Sequence, residues 1–336
     1  MIGRYTKFYS VTFGSHCPIY SRCMSSLTKA EAKKKRNAMF DEEKKRQRTA
    51  IGRIEKIKVI YDGPEEEVTL LMNKDISTPY ECARHISEGM AKLSALASVD
   101  GVPWDMHKPL ISNCSLKLST MKTPHDKAVN NAFWRSCSFM LGAVIDSAFK
   151  DDIVCHLHSF TSPNIKSGSF LYDVHLDLPD WNPTSSELKA ISSIFAKLIQ
   201  DELPIERLEV HKDIASDMFE DNPFKSKQIP DIALHNDDKI ILYRAGDHID
   251  ISKGPMVGNT NIVGRFTLTA IHNIQNECGE SLRRFQGVAL PQGMLVNHYV
   301  YNILEERAKK LNQSVWMPQR FESESEEKQT MALGNN

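Results

Sequence analysis

The chain has 336 residues, 41% of them hydrophobic and 25% charged, and a formal net charge of -1 at pH 7. This is the composition of a soluble globular protein long enough for two cores, and it excludes nucleic-acid binding by overall charge, leaving only local basic patches. No apolar run nears the about 20 residues of a membrane-spanning helix, and the seven cysteines (17, 23, 82, 114, 137, 155 and 278) fit neither a disulfide framework nor a structural zinc site.

Residues 1–30 contain no Asp or Glu but include Arg4, Lys7, Arg22 and Lys29, five serines and several aromatics. That composition predicts a mitochondrial transit peptide, assigned to residues 1–28, with an untargeted, unstructured N-terminus as the alternative. Residues 29–52 read as a basic helical arm. Lys33, Lys34, Lys35 and Arg36 form one block, Lys44, Lys45, Arg46 and Arg48 a second, with Asp41, Glu42 and Glu43 between them. Its apolar face is too small to bury the helix against its own protein. The functional reading is an arm that docks these eight cations on RNA phosphates; the plain one is a solvated linker.

Residues 53–122 read as a small α+β domain. Ile57, Val59 and Tyr61 alternate as a strand, Asp62-Gly63-Pro64 turns, and 68–71 is a second strand. Thr78-Pro79-Tyr80-Glu81 has the residues of a helix start with a capping box. Cys82, Ile86, Met90 and Leu93 follow at helical spacing and are expected to face the sheet. Asp100-Gly101 marks a turn, and Leu116 and Leu118 lie on a last strand. The order is that of a β-grasp domain.

A second domain, residues 126–312, begins with a helix over 126–149 carrying Val129, Phe133, Cys137, Met140, Val144 and Ala148 near helical period. Strands follow at 153–160 and 169–176, a helix at 185–198, strands at 205–210, 239–243, 266–271 and 285–290, and a closing helix within 291–310. Residues 313–336 form a tail, acidic and Ser-rich from Glu322, expected to be disordered. His156 and His158 alternate on a strand but lack a third ligand, so no metal is predicted. Cys137 follows the apolar period and reads as a packed thiol, not a nucleophile.

Two motifs carry the most information: Phe133-Trp134-Arg135-Ser136-Cys137-Ser138-Phe139 and Asp250-Ile251-Ser252-Lys253-Gly254-Pro255-Met256. Both resemble signatures of the threonyl-tRNA synthetase editing domain. Further matches in the same order are Leu171-Tyr172-Asp173, Leu203-Pro204-Ile205-Glu206-Arg207, Met218-Phe219 with Phe224-Lys225, and Tyr243-Arg244-Ala245-Gly246-Asp247. Residues 53–122 resemble the TGS domain that begins those synthetases. The resemblance implies an α+β chain: a small β-grasp, TGS-like domain followed by a larger editing-like one.

In the synthetase family, His stands at the positions of Arg135 and Phe139, Cys at Ser252 and His at Met256. None of the four is retained here. Arginine is not a general base, phenylalanine exchanges no proton, and serine and methionine are poor ligands for hydrolytic zinc. Loss of one general base costs about 10²–10⁴ in rate. The expectation is therefore a degenerate site with no catalytic residue, metal, cofactor or small-molecule substrate, in which Asp250 and Lys225 survive as structural polar groups.

Met72 to Tyr80, Trp134-Arg135-Ser136-Cys137 and Arg283 to Val288 resemble a family of threonyl-tRNA synthetase-like proteins of the mitochondrial large ribosomal subunit. That resemblance implies a structural subunit in the mitochondrial matrix whose partners are large-subunit rRNA and neighbouring ribosomal proteins, with Lys253, Arg283 and Arg284 as further surface cations. Two alternatives are a free-standing tRNA-binding or trans-editing factor built on Asp250 and Lys225, and a non-catalytic protein adaptor.

Overall fold

The computed structural model describes residues 28–63, 66–123, 126–276 and 279–318. The leader, apart from Thr28, and the tail beyond residue 318 lie outside the described residues. Within them the chain is α+β, with a five-stranded sheet, a three-stranded sheet and a four-stranded sheet.

Helix α1 (Lys29–Ala50) starts where the Thr28 hydroxyl accepts from the Glu31 amide and the Glu31 carboxylate accepts from the Thr28 amide. It is not a free arm. Phe40 is fully buried and joins a core cluster with Leu208, Val210, Phe219, Ile240, Leu242 and Ile249. The Arg244 guanidinium lies 4.3 Å over the Phe40 ring. Phe40, with Ala32 and Met39 beside it, therefore docks a helix whose average polarity gives no such signal. The flanking charges find opposite charges on the body of the protein.

The N-terminal sheet comprises β1 (Lys56–Asp62), β2 (Glu67–Asn73), β3 (Ser94–Val99), β4 (Val102–Trp104) and β5 (Cys114–Thr120), in the order β2-β1-β5-β3-β4. β1 and β5 run parallel at its centre, and the other pairs are antiparallel. Ile57, Val59 and Tyr61 point inward as alternation requires. The expected capping box opens α2 (Pro79–Ile86). That helix stops at Ser87, which caps a separate helix, α3 (Glu88–Leu93). The break changes the helical phase, so Leu93 is 60% exposed and does not face the sheet as expected, while Cys82 is buried and Ile86 and Met90 pack against the same core.

The remaining chain runs α4 (Lys127–Ala148), β6 (Cys155–Ser159), β7 (Phe170–Leu176), α5 (Ser185–Gln200), β8 (Glu206–His211), α6 (Lys212–Met218), α7 (Pro223–Leu234), β9 (Lys239–Ala245), β10 (His248–Ile251), β11 (Val263–Gln275), β12 (Ser281–Pro291) and α8 (His298–Ala308). The antiparallel sheets are β10-β9-β8 and β11-β12-β7-β6. Helix α4 is buried nearly all round, including Arg135, Ser136 and Ser138 opposite its apolar stripe, because it runs through the middle of the molecule. Gly142 is required where α4 crosses β7: a Cβ there would lie 2.5 Å from the Tyr172 ring. Ala95 and Leu96 of β3 share a core cluster with Val129, Phe133 and Cys137 of α4, so the N-terminal sheet and the larger unit are packed together.

Residues 313–318 depart from the expected disordered tail. Trp316 packs against the same cluster as Phe40, with Met39, Ile214 and Ile251. The acidic composition that marked the tail begins only after this segment.

Phe40→Ala should destabilise the full-length protein by about 3 kcal/mol, the usual scale for emptying a buried phenylalanine site. Lys34→Ala, on the exposed side of the same helix, should change stability by less than about 0.5 kcal/mol. Urea unfolding of both variants measures the difference.

Candidate functional site

The two motifs meet on opposite sides of one seam. Helix α4 presents Arg135, Ser136 and Phe139; the segment after β10 presents Ser252, Gly254, Pro255, Met256 and Val257. Arg135 Nη1 donates to the Pro255 carbonyl at 2.8 Å, and the Val257 amide donates to Ser136 Oγ at 2.9 Å. Phe139 is fully buried against the His248 ring, with centroids 5.1 Å apart, and the Met256 side chain lies in the main core cluster. Ser252 Oγ accepts from the Gly254 amide at 3.4 Å. These groups hold the seam together and present no base, nucleophile or ligand set to a substrate. Among the described residues no group of three or more His, Cys, Asp or Glu side chains is placed to hold a metal.

A residue without a sequence signal completes the seam. Asp105, in the loop after β4, is buried where it reaches the second motif. Its carboxylate accepts from the Tyr243 hydroxyl at 3.0 Å and from the Met256 amide at 2.8 Å, and pairs with Arg207 Nε at 3.5 Å. Burial, reinforced by Asp105, pushes the Tyr243 phenol well above its ordinary pKa, so it remains a donor. Gly254 has φ +69°, and a Cβ there would lie 1.8 Å from the Tyr243 hydroxyl oxygen, so glycine is required at that close approach. Beside it, His107 Nε2 lies 2.8 Å from the Gly258 carbonyl oxygen, and the Gly258 amide donates to the Ala95 carbonyl at 3.0 Å.

Asp250 and Lys225 form a buried ion pair, with Lys225 Nζ 2.5 Å from Asp250 Oδ1. Tyr172 donates its hydroxyl to Asp250 Oδ2, and the Ile251 amide donates to Oδ1. Burial, with Asp250 adding to it, holds the Tyr172 phenol well above its usual range. The two survivors satisfy each other. Cys137 is enclosed, and burial pushes its thiol well above the ordinary range, which leaves no thiolate for nucleophilic attack.

The eight cations assigned to RNA divide. Lys33 pairs with Asp146 and Asp247, Lys35 with Glu220, Arg36 with Asp221, Lys44 with Glu206 and Arg46 with Glu43. Lys34, Lys45 and Arg48 are exposed and have no ion pair among the described residues. Five of these charges thus also dock the helix on the body of the protein or stiffen it. Arg283 and Arg284 are also buried, not surface cations. Arg284 forms a bidentate pair with Asp173 at 2.8 Å, and Arg283 donates to the Leu178 and Pro179 carbonyls. His156, His158 and His175 surround Phe224, and burial lowers the pKa of His158 to about 4.

Fold and seam together define an α+β protein in which the side chains of the two motifs serve packing and hydrogen bonding within the fold. Over 279 residues the chain is 50% identical to "Large ribosomal subunit protein mL39" of Drosophila melanogaster, covering 82% of this chain and 84% of that one. It therefore belongs to the mL39 family. It is also 28% identical over 252 residues to a probable cytoplasmic threonine--tRNA ligase 1 of Dictyostelium discoideum, and 30% identical over 226 residues to the human cytoplasmic threonine--tRNA ligase 2. These matches cover 74% and 66% of this chain but only 33% and 26% of the ligases. No protein-family model matches the chain.

Asp105→Ala should destabilise the protein by about 3 kcal/mol, because it leaves the Tyr243 hydroxyl and the Met256 amide without an acceptor in a buried setting and Arg207 with Glu209 alone. Urea unfolding reads that loss. A second outcome concerns pH. His248 is buried beside Asp146, Asp250, Lys33 and Arg36, and burial lowers its pKa from 6.5 to about 4. The unfolded chain thus binds more protons on this residue between pH 6.5 and 4, and stability falls as pH drops through that window. His248 alone accounts for about 3 kcal/mol at its lower end, and His248→Leu should remove that share of the slope in unfolding measured from pH 7 to pH 4.

Proposed function

We propose that this chain is a structural component of the mitochondrial large ribosomal subunit and supports mitochondrial translation without catalysing a reaction. The observation that carries this reading is the match along four fifths of the chain to a protein named as a large-subunit ribosomal protein. The seam agrees with it chemically, since the positions that would perform hydrolysis are enclosed or bonded within the fold. Asp250 and Lys225 are bonded to each other and to Tyr172, which weighs against a tRNA-binding or trans-editing factor built on them.

The domain assignment follows the same scaffold. Residues 1–28 are the transit peptide, 29–52 the basic helix, 53–122 a TGS-like β-grasp domain, 126–312 a degenerate editing-like domain, and 313–336 the tail. The five-stranded order β2-β1-β5-β3-β4, with a parallel central pair and helices crossing one face, supports the β-grasp assignment. Large-subunit rRNA and neighbouring ribosomal proteins are the partners. On α1 the cations available to rRNA phosphates are Lys34, Lys45 and Arg48.

In sedimentation through high salt the protein should co-migrate with the mitochondrial large subunit; recovery only in light fractions would contradict the proposal. Replacing Lys34, Lys45 and Arg48 together by Ala should lower incorporation without shifting the unfolding midpoint, as removal of phosphate contacts predicts. Hydrolysis of mischarged seryl-tRNA by the purified chain, abolished by Asp250→Ala, would instead favour the trans-editing reading.

A further inference from the structure

Beside the Lys225–Asp250 pair lies a small recess of about 20 Å³ lined by Ser159, Phe160, Lys225, Gln228, Ser252 and, from the far end of the chain, Trp316. The segment that brings Trp316 there is tied down at one residue. Asn312 is buried, and its amide donates to Gln286 Oε1 at 2.8 Å. Its side-chain Nδ2 donates to Ser167 Oγ and to the Ser169 carbonyl, both at 2.9 Å, and its carbonyl accepts from Arg284. The Ser314 amide then donates to Asn312 Oδ1 at 3.0 Å, which turns the chain back towards the recess. Beyond this anchor Val315 and Met317 are exposed, while the intervening Trp316 side chain packs inward beside Ile251. Alternation of exposed, packed and exposed residues is how an extended strand lays one side chain on a surface.

The anchor engages the motif around Arg283-Arg284-Phe285-Gln286, whose side chains have no part in the seam. Arg284 links Asn312 to Asp173 of β7. The neighbouring residue on that strand, Tyr172, holds Asp250 beside the recess. Strap and pocket are thus connected through two adjacent residues of one strand.

We propose that residues 311–318 are a strap, anchored at Asn312, whose Trp316 seals the recess beside Ser252, so that the former pocket is occupied by the protein's own indole. Entry of any other molecule to Ser252 requires the strap to lift. This goes beyond the structural role in the ribosome and stands independently of it, because it concerns only access within the chain.

Ser252→Cys places a thiol in the recess, and its modification by a maleimide, followed at the 252 peptide by mass spectrometry, reports access. With the native strap the thiol should react slowly. Adding Trp316→Ala should accelerate it at least ten-fold, and Trp316→Phe should restore slow reaction. Should Trp316→Ala unfold the protein, shown by loss of its cooperative transition, a chain ending at Gln313 in the Ser252→Cys background takes its place, with the same acceleration expected. Fast labelling under the intact strap, or equal rates with the strap intact and with Trp316 removed by either route, would overturn the proposal.

Discussion

The arrangement of the whole molecule depends on one buried carboxylate. Taking Asp105 out of water costs several kcal/mol, which only a full set of donors offsets. Tyr243 from β9, the Met256 amide from the second motif and Arg207 from β8 supply them, from elements 102 to 151 residues away in sequence. Because each donor belongs to the larger unit and the acceptor to the N-terminal sheet, satisfying the carboxylate fixes how the two units meet. The same contacts hold the segment between Ser252 and Gly258, which in turn receives Arg135 and is capped by Ser136. Gly254 makes the geometry possible by leaving room for the Tyr243 hydroxyl.

This constraint explains the character of the four replaced positions. A hydrolytic site needs polar groups poised towards an opening. Here Phe139 and Met256 fill core volume, Arg135 is bonded to a backbone carbonyl, and Ser252 closes a local turn. Each makes its contacts within the protein. Lys225, Asp250 and Tyr172 do the same in polar form. They are a buried network bonded to one another and costly to break.

Much of this was legible in the sequence. Capping residues, Asp-Gly and the apolar periods located α2, α4, α5 and most strands to within a few residues, because those signals are local. The motif pair pointed to a likeness with threonine--tRNA ligases, which the comparisons show over 66–74% of the chain. Four things were not legible. Phe40, with Ala32 and Met39, makes only a narrow apolar face on a highly charged helix, too small for periodicity to register. Ser87 sits within an unbroken apolar spacing, so the division of α2 from α3 shows only as a cap. Helices α6 and α7 and strand β10 are short or interrupted by proline, and they stand through packing on their neighbours. Asp105 depends on partners that only the tertiary fold brings near. The misreading of Arg283 and Arg284 has the same origin, since their partners are carbonyls and a carboxylate on distant strands.

Arg135, Phe139, Ser252 and Met256 hold the seam of the fold together. The most direct measurement of that role is the unfolding free energy of a chain carrying Arg135→His, Phe139→His, Ser252→Cys and Met256→His together, with seryl-tRNA hydrolysis followed on the same sample. Two imidazoles placed where Phe139 and Met256 fill the core would lack partners, at about 1–3 kcal/mol each. The account predicts a loss of several kcal/mol and no hydrolysis. A variant as stable as the natural chain that hydrolyses seryl-tRNA would contradict it.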